Sequence, residues 1–306
     1  MIKLINKGVK ALNRYGLFRT IRYAGLVVVS HPSFGKTKWL RNWIFRALIR
    51  IFKTLRIKTI SVKVNDVNLY IDPTNPWSLR AYAFSPFYDW ETISSVKRII
   101  SSEYTFIDVG ANFGAWSFPL AAHFSRVLAV EPDQRCYECC QKTLRDSGLS
   151  NIDFSNVALA DSDRDGLLFA SSAHIGDSRI YDPGDTDRMT GTQVKLLSFD
   201  SLVSQYNVNT GHMFIKLDAQ GAEPLILQGM GKALNSANDV ILFTEIQPDI
   251  LAEADLTMQE YLDLLRQMGF SPVDLGNELK GIEWEKVHAS LTHDRSTKDY
   301  CFRSLK

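Results

Sequence analysis

The first 65 residues contain no aspartate and no glutamate; Asp66 is the first acid. They hold fifteen Lys and Arg, whereas the remainder carries 20 basic and 34 acidic residues, so a net charge of +1 conceals +15 in front of −14. Such a split points to two parts with different partners. Cysteine is scarce: Cys136, Cys139, Cys140 and Cys301 are the whole complement. No second Cys/His pair joins Cys136 and Cys139 at finger-like spacing, which argues against a structural zinc and for reduced helix thiols of a cytosolic protein. No metal is expected. An apolar core followed by a small-residue cleavage site is also missing, so no signal peptide is expected. "GLVVVSHP" is far too short to span a bilayer, and the next apolar region is broken by arginines. There is no internal repeat and no low-complexity linker.

The basic front end has its own pattern. Plotted at the helical period, residues 36–56 gather Leu40, Ile44, Ala47, Leu48, Ile51 and Leu55 on one side, with Trp43 and Phe52 at its edges. Lys38, Asn42, Arg46, Arg50, Lys53 and Arg56 gather on the other. Residues 2–24 repeat the idea less cleanly. A solvated cap on the rest of the chain is one reading. An interfacial helix on an anionic membrane is the second, each cation near such a surface contributing about 1 kcal/mol. Nucleic-acid binding is the third, but no helix-turn-helix or stacking platform accompanies the charge, and none is expected to bind. An ordinary solvated face mixes both signs, so the absence of acids favours an anionic membrane contact through residues 1–58, at the cytoplasmic side.

From residue 60 the periodicity changes. Ile60, Val62 and Val64 alternate, then Val67, Leu69 and Ile71, around Asn65-Asp66: a β-hairpin. An aromatic-rich loop precedes a helix at about 89–101. Strands follow at 105–109, at "RVLAVEP" (126–132), and at "NIDFSNVALAD", the first trailed by a helix at 113–124 and the second by one capped by Asp133. "GLLFAS" and "TQVKLLSF" read as a more exposed pair flanking a polar stretch at 171–193. "HMFIKL" (strand), "AEPLILQGMGKAL" (helix), "DVILFTEIQ" (strand), a helix from Thr257, and two closing strands complete the chain. Strands alternating with helices of this length imply right-handed βαβ units, a mainly parallel sheet and helices on both faces.

In such a fold ligands sit beyond the strands' C-terminal ends. Asp108 and Gly110 lie there, and Gly110 with Gly114 permits a tight turn and close backbone approach. A plain strand-to-helix turn would also explain those glycines. Glu131, ending the next strand, can accept both hydroxyls of a ribose. The G-x-G-x-x-G fingerprint is not met: Gly110-Ala111-Asn112-Phe113-Gly114 is one glycine short. An Asp two residues before the first glycine repels a pyrophosphate and attracts the ammonium of S-adenosylmethionine, which favours a methyl donor over a nicotinamide.

"FIDVGANFGAWS", "VLAVEPD", "NVALAD", "VKLLSFDSL" and "FIKLDAQGAEPLILQGM", in this order, resemble the FkbM-type family of S-adenosylmethionine-dependent methyltransferases over roughly residues 62–250 and, in weaker form, to the C-terminus. The resemblance implies an α/β class I methyltransferase (Rossmann-like) fold with a mostly parallel seven-stranded sheet. It implies O-methylation of a sugar, glycan, glycolipid or polyketide-type hydroxyl, with S-adenosyl-L-methionine as cofactor. It puts Asp108, Gly110, Asn112 and Gly114 around the methionine end, Glu131 on the ribose and Val157-Ala158 near the adenine. Lys216, Asp218 and Glu223 become the lining of the transfer site. Many members carry an acid-glycine-histidine-glutamate run after this aspartate, where this chain reads Gln220-Gly221-Ala222-Glu223; the missing histidine puts a histidine base there in doubt. Asp218 is the first candidate for orienting acceptor or cofactor; Glu223 and Glu245 are candidates for the base, although Glu223 also suits a helix N-terminus. His174 is a further loop candidate. Trp77, Phe84, Phe87, Tyr88 and Trp90 are the aromatic residues that sugar platforms or a core would use. The division expected is 1–65, a basic helical extension, and 66–306, the methyltransferase domain.

Overall fold

Residues 38–83, 88–171, 174–182, 189–293 and 298–306 are described by the structure, a computed structural model of the chain. The stretch at 2–24 and Phe84 and Phe87 lie outside these residues. Two compact units divide after Tyr88. In the first, helix α1 (Lys38–Thr54) is followed by strands β1 (Ile60–Val64) and β2 (Val67–Ile71), paired antiparallel with Val64 opposite Val67. Asn65 and Asp66 take φ of 45° and 67°, as a two-residue hairpin turn of type I′ requires. The division expected at 65/66 falls inside this turn, between strands that pair along their full length, and the structural division comes at Tyr88/Asp89 instead.

The side of α1 that packs is set by two phenylalanines, Phe45 outside the apolar stripe of the sequence pattern and Phe52 at its edge. Phe45 and Phe52 are buried, while Trp43 is 64%, Ile51 49% and Leu55 37% exposed. Two phenylalanines seven residues apart bury more apolar area than the Leu and Ile beside them, and they set which side turns inward. The Arg80 guanidinium lies 5.4 Å from the Phe45 ring. Trp77, Tyr82 and Tyr88 pack on one another, with ring centroids 5.4 and 4.9 Å apart.

The second unit begins with α2 (Trp90–Ile99) and is built on β3 (Thr105–Val109), β4 (Arg126–Val130), β5 (Ile152–Ser155), β9 (His212–Leu217), β10 (Asp239–Ile246), β11 (Ser271–Asp274), β12 (Lys280–Gly281) and β13 (Lys298–Leu305). Their order is β12-β11-β13-β10-β9-β3-β4-β5. Strands β5, β4, β3, β9 and β10 are parallel; β13 runs antiparallel to β10, β11 to β13 and β12 to β11. The sheet thus has eight strands rather than seven. The eighth, β12, is a two-residue edge with both residues exposed, so no apolar alternation announces it. Crossovers run through α3 (Ser117–Leu120), α4 (Gln134–Ser147), α5 (Phe199–Gln205), α6 (Glu223–Gln228) and α7 (Gly231–Ser236); α8 (Pro248–Glu253), α9 (Met258–Gln267) and α10 (Trp284–His293) follow β10 and β11. The chain moves outward from β3 to β5, then returns to β9 on the opposite side of β3, and right-handed crossovers put the helices of the two halves on opposite faces. Ile107, Val109, Leu128, Ile215 and Leu242 join one core with Leu262 and Phe302.

Two local expectations change. The helix at 113–124 is only α3 and a 3-10 turn at Ala121–His123, because Gly110, Asn112 and Gly114 all take positive φ and spend the preceding residues in tight turns. "NIDFSNVALAD" is two strands: β5 stays in the large sheet, and β6 (Ala158–Ala160) leaves it to pair parallel with β8 (Met189–Ser198). On its other side β8 pairs antiparallel with β7 (Arg164–Ser171), making a separate three-stranded sheet.

Candidate active site

Strand β3 lies between β4 and β9, where the strand order reverses, so the crevice beyond Val109 and Leu217 is the ligand position of an open parallel sheet. The loop after β3 is bound on several sides. Gly110 and Ala111 donate to Val130 O, and Gly114 donates to Ala111 O. Asn112, at φ 51°, donates its backbone N–H to Glu131 Oε2 (2.7 Å), while its Oδ1 accepts from Phe113 N (3.0 Å). The other oxygen of Glu131 accepts from Asp133 N at 2.8 Å. Glu131 therefore fastens the β3 loop to the end of β4, and each of its oxygens keeps a second lone pair. Burial, with the nearby charges of Asp133 and Asp108, pushes its carboxyl up to about 8 against the two backbone donors.

Asp108 is completely buried in an otherwise apolar strand. Its Oδ2 accepts from Ser117 Oγ at 2.5 Å, and its Oδ1 has no hydrogen-bond partner among the described residues. Burial raises its carboxyl above the usual range, although Lys216, its register neighbour on β9, and Ser117 oppose the shift. A buried acceptor left unsatisfied costs free energy until a donor or cation reaches it.

Beyond β9 and β10 lies a set of coupled polar groups. Lys216 Nζ is 2.9 Å from Asp218 Oδ2 and 5.8 Å from the Trp116 ring centroid. Gln220 Nε2 donates to Asp218 Oδ1 (3.0 Å) and to Glu245 Oε2 (3.1 Å), bridging two carboxylates. Asp299, on β13, stands directly across from Glu245 in the antiparallel register. Trp116 Nε1 donates to Asp89 Oδ2, and its ring packs 5.0 Å from that of Phe243. These groups push the two carboxylates apart. Burial disfavours the charged form of Asp218, but the Lys216 charge and hydrogen bonds from Lys216, Gln220 and Glu245 outweigh it and hold Asp218 below the usual carboxylate range. Burial, with the charges of Asp218 and Asp299, pushes Glu245 up to about 8.

A methyltransferase FkbM domain profile matches residues 108–272, more than half of the chain. The chain belongs to the FkbM methyltransferase family. Among solved structures it is similar to the FkbM methyltransferase of Methylobacillus flagellatus KT, at 16% identity and a TM-score of 0.40, over 67% of this chain and 44% of that one. It thus spans less than half of that protein. A putative methyltransferase from Streptococcus mutans, in complex with SAH, is 11% identical at a TM-score of 0.38, over 69% of this chain and 93% of that one. TYW2 of M. jannaschii, in complex with AdoMet, is 11% identical at 0.41, over 80% and 84%. No curated protein matches significantly.

In this FkbM-family chain the sequence-derived residues separate by role. Asp108, Gly110, Asn112, Gly114 and Glu131 form one connected loop system. Asn156, which the sequence reading passed over, donates to Glu131 O (2.9 Å) and Pro132 O (3.2 Å) and so holds the end of β5 beside that system, with half-buried Val157 next in the chain. Ala158 turns away into β6 and is buried in the small sheet. Lys216, Asp218 and Glu245 are brought together, whereas Glu223 is occupied otherwise. Its two oxygens accept from Ala219 N (2.7 Å) and Gly221 N (2.9 Å), which shapes the loop that presents Gln220. Burial pushes Glu223 up to about 7 against those donors. His174 is exposed. Ser117, Trp116 and Asp299 went unnoticed, and Gln220 was noted only as a departure from the family's acid-glycine-histidine-glutamate run. Tyr181 was also missed; its hydroxyl donates to Gln220 O (3.1 Å), laying the chain beyond β7 against the same loop.

Proposed function

We propose that this chain is an S-adenosylmethionine-dependent O-methyltransferase acting on a hydroxyl of a sugar, glycan or glycolipid-type acceptor. One observation carries the reading: a carboxylate pair bridged by Gln220 stands one strand from the buried, half-satisfied Asp108. That orphaned Oδ1 fits a cationic ammonium, and the positive-φ Gly110 beside it lets backbone approach closely. Asp108, Gly110, Asn112 and Gly114 would hold the methionine end, Glu131 the ribose, and Val157 the adenine side. The cofactor, when bound, supplies a methyl group already activated on a sulfonium.

The protein's own work is then positioning and proton removal. Glu245, the carboxyl with the raised proton affinity, takes the acceptor hydroxyl's proton. Asp218, kept ionised by Lys216, orients the acceptor, and its negative charge raises the affinity of Glu245 for the proton. Gln220 fixes the spacing of the two, and Trp116 walls the Lys216 side against water. Glu223 acts by holding the loop. The density of hydrogen-bonding groups at Asp218, Gln220, Glu245 and Asp299 suits a polyhydroxylated acceptor. The four free, buried cysteines suit a reducing compartment, and the basic first unit suits residence at an anionic membrane surface, where a lipid-linked glycan is the natural acceptor.

Incubating glycan and lipid extracts with methyl-labelled donor tests the acceptor class, with Asp218→Ala as control. Label should enter a glycan-bearing fraction with the wild type only. Equal label with the variant would discredit the site. Calorimetric titration should show low-micromolar cofactor binding that Glu131→Ala abolishes.

A further inference from the structure

Helix α1 presents two apolar faces, and only one is used inside the first unit. Phe45 and Phe52 are buried, while Trp43, Ala47, Ile51 and Leu55 recur at four-residue steps on another face, with Trp43, Ile51 and Leu55 exposed. Among the described residues six large apolar side chains are exposed; two of them, Trp43 and Ile51, lie on this helix and a third, Leu55, follows its last residue. Scattered singly, such residues need no explanation; as a stripe on one helix they mark an interaction face. Arg46, Arg50 and Lys53 are exposed along its flank, and no acid occurs anywhere before Asp66.

The charge decides what the stripe meets. A second copy of the same face would bring Arg46, Arg50 and Lys53 against their own kind. An acidic bilayer surface offers both halves of the complement: anionic headgroups for the arginines and an acyl boundary for Trp43 and Ile51. Tryptophan in particular favours that boundary, having an apolar body and a polar N–H. No described helix is long and apolar enough to cross a membrane, so α1 would lie in the interface plane.

We propose that the Trp43–Ala47–Ile51–Leu55 face of α1 is the docking surface of this protein on anionic lipid. The inference rests on the membrane reading given above and narrows it to one face, whose Ala47, Ile51 and Leu55 belong to the apolar stripe of the sequence pattern and whose Trp43 stood at its edge. It is independent of the chemistry at Asp218 and Glu245.

Co-sedimentation of the full chain with vesicles of phosphatidylcholine plus phosphatidylserine, and with phosphatidylcholine alone, tests it. Three variants accompany the wild type: Trp43→Ser with Ile51→Ser, Arg46→Gln with Arg50→Gln, and Leu167→Ser as an exposed apolar control on the second unit. An unchanged melting temperature confirms that each is folded. The wild type and the Leu167 variant should pellet with the anionic vesicles only. The apolar pair should lose at least tenfold in partition coefficient, and the arginine pair about fivefold per cation removed. If the apolar pair pellets like the wild type while the arginine pair does not, the membrane contact stands but this face is not its site. If the wild type stays in the supernatant, both readings fall. Binding to a single-stranded RNA homopolymer that is lost in the arginine pair alone and competes with vesicles would assign the charge to nucleic acid and overturn the proposal.

Discussion

A β-carbon on Gly110 would lie 1.9 Å from the carbonyl oxygen of Asp218. The loop that ends β3 and the turn that ends β9 are in backbone contact, with Asp218 N also donating to Val109 O at 3.2 Å. Gly148, at the end of α4, shares the positive φ (70° against 75°) but has nothing within 4 Å of its β-carbon position. Gly148→Ala should therefore cost about 1 kcal/mol, the left-handed strain alone. Gly110→Ala adds displacement of the Asp218 backbone and should cost about 3 kcal/mol or more with loss of cofactor binding. Denaturant midpoints of the two variants, compared side by side, check this. Equal losses would show that the contact is not tight.

Asp108→Asn separates cofactor binding from folding. The isosteric amide keeps a partner for Ser117 Oγ and removes a desolvated charge, so apoprotein stability should hold or rise. Cofactor affinity should fall by about tenfold or more, since a hydrogen bond to a charged group is worth roughly 1.5–3 kcal/mol. Calorimetric titration beside a thermal melt reads both quantities.

A base with a carboxyl near 8 works only when ionised, so kcat should climb with pH through a midpoint near 8 and level off about one unit above it. Glu245→Gln should remove that limb and lower kcat by about a hundredfold or more. Asp299→Asn removes a like charge opposite Glu245, so the midpoint should move down in pH while kcat at the plateau is retained. A midpoint that does not move would exclude Asp299 as a neighbour of the base.

Stability should run the other way. Glu131 and Glu223 carry carboxyls raised from 4.5 to about 8 and about 7. Below pH 4.5 both folded and unfolded chains are protonated there, and this contribution is fully present. As pH climbs toward 8 the unfolded chain ionises first, the folded chain holds more protons, and stability is lost at up to about 1.4 kcal/mol per pH unit for each group. Urea midpoints of the cofactor-free protein should fall across this window. In Glu131→Gln the fall should be shallower by about one group's share.

The motif residues at strand ends were legible because a strand's C-terminal end in a parallel sheet is a known place: Asp108, Glu131, Asp218 and Glu245 needed only correct strands to be located. The two-residue turn at Asn65-Asp66 was equally local. Asp299 was not legible, because its place opposite Glu245 depends on β13 returning antiparallel beside β10, and no pattern near residue 299 encodes that register. Glu223 was misread in emphasis, since the amides of Ala219 and Gly221 come within reach only once the loop has turned. The burial of Phe45 was not legible, because helical period ranks residues by polarity, whereas Phe45 and Phe52 won by size. β12 was too short to carry any period.

The three-stranded sheet enters through β6 and leaves through β8, and these strands are paired neighbours: Ala158 lies opposite Leu196, and Ala160 opposite Ser198. Everything from Asp161 to Lys195 thus departs from one strand of this small sheet and returns to its paired neighbour. A segment closed at its base in this way can be lengthened, trimmed or exchanged for another without altering the order of the eight strands. Since Tyr181 from that segment rests on Gln220, such a graft would bear directly on the loop that bridges Asp218 and Glu245 while leaving the loop after β3 untouched.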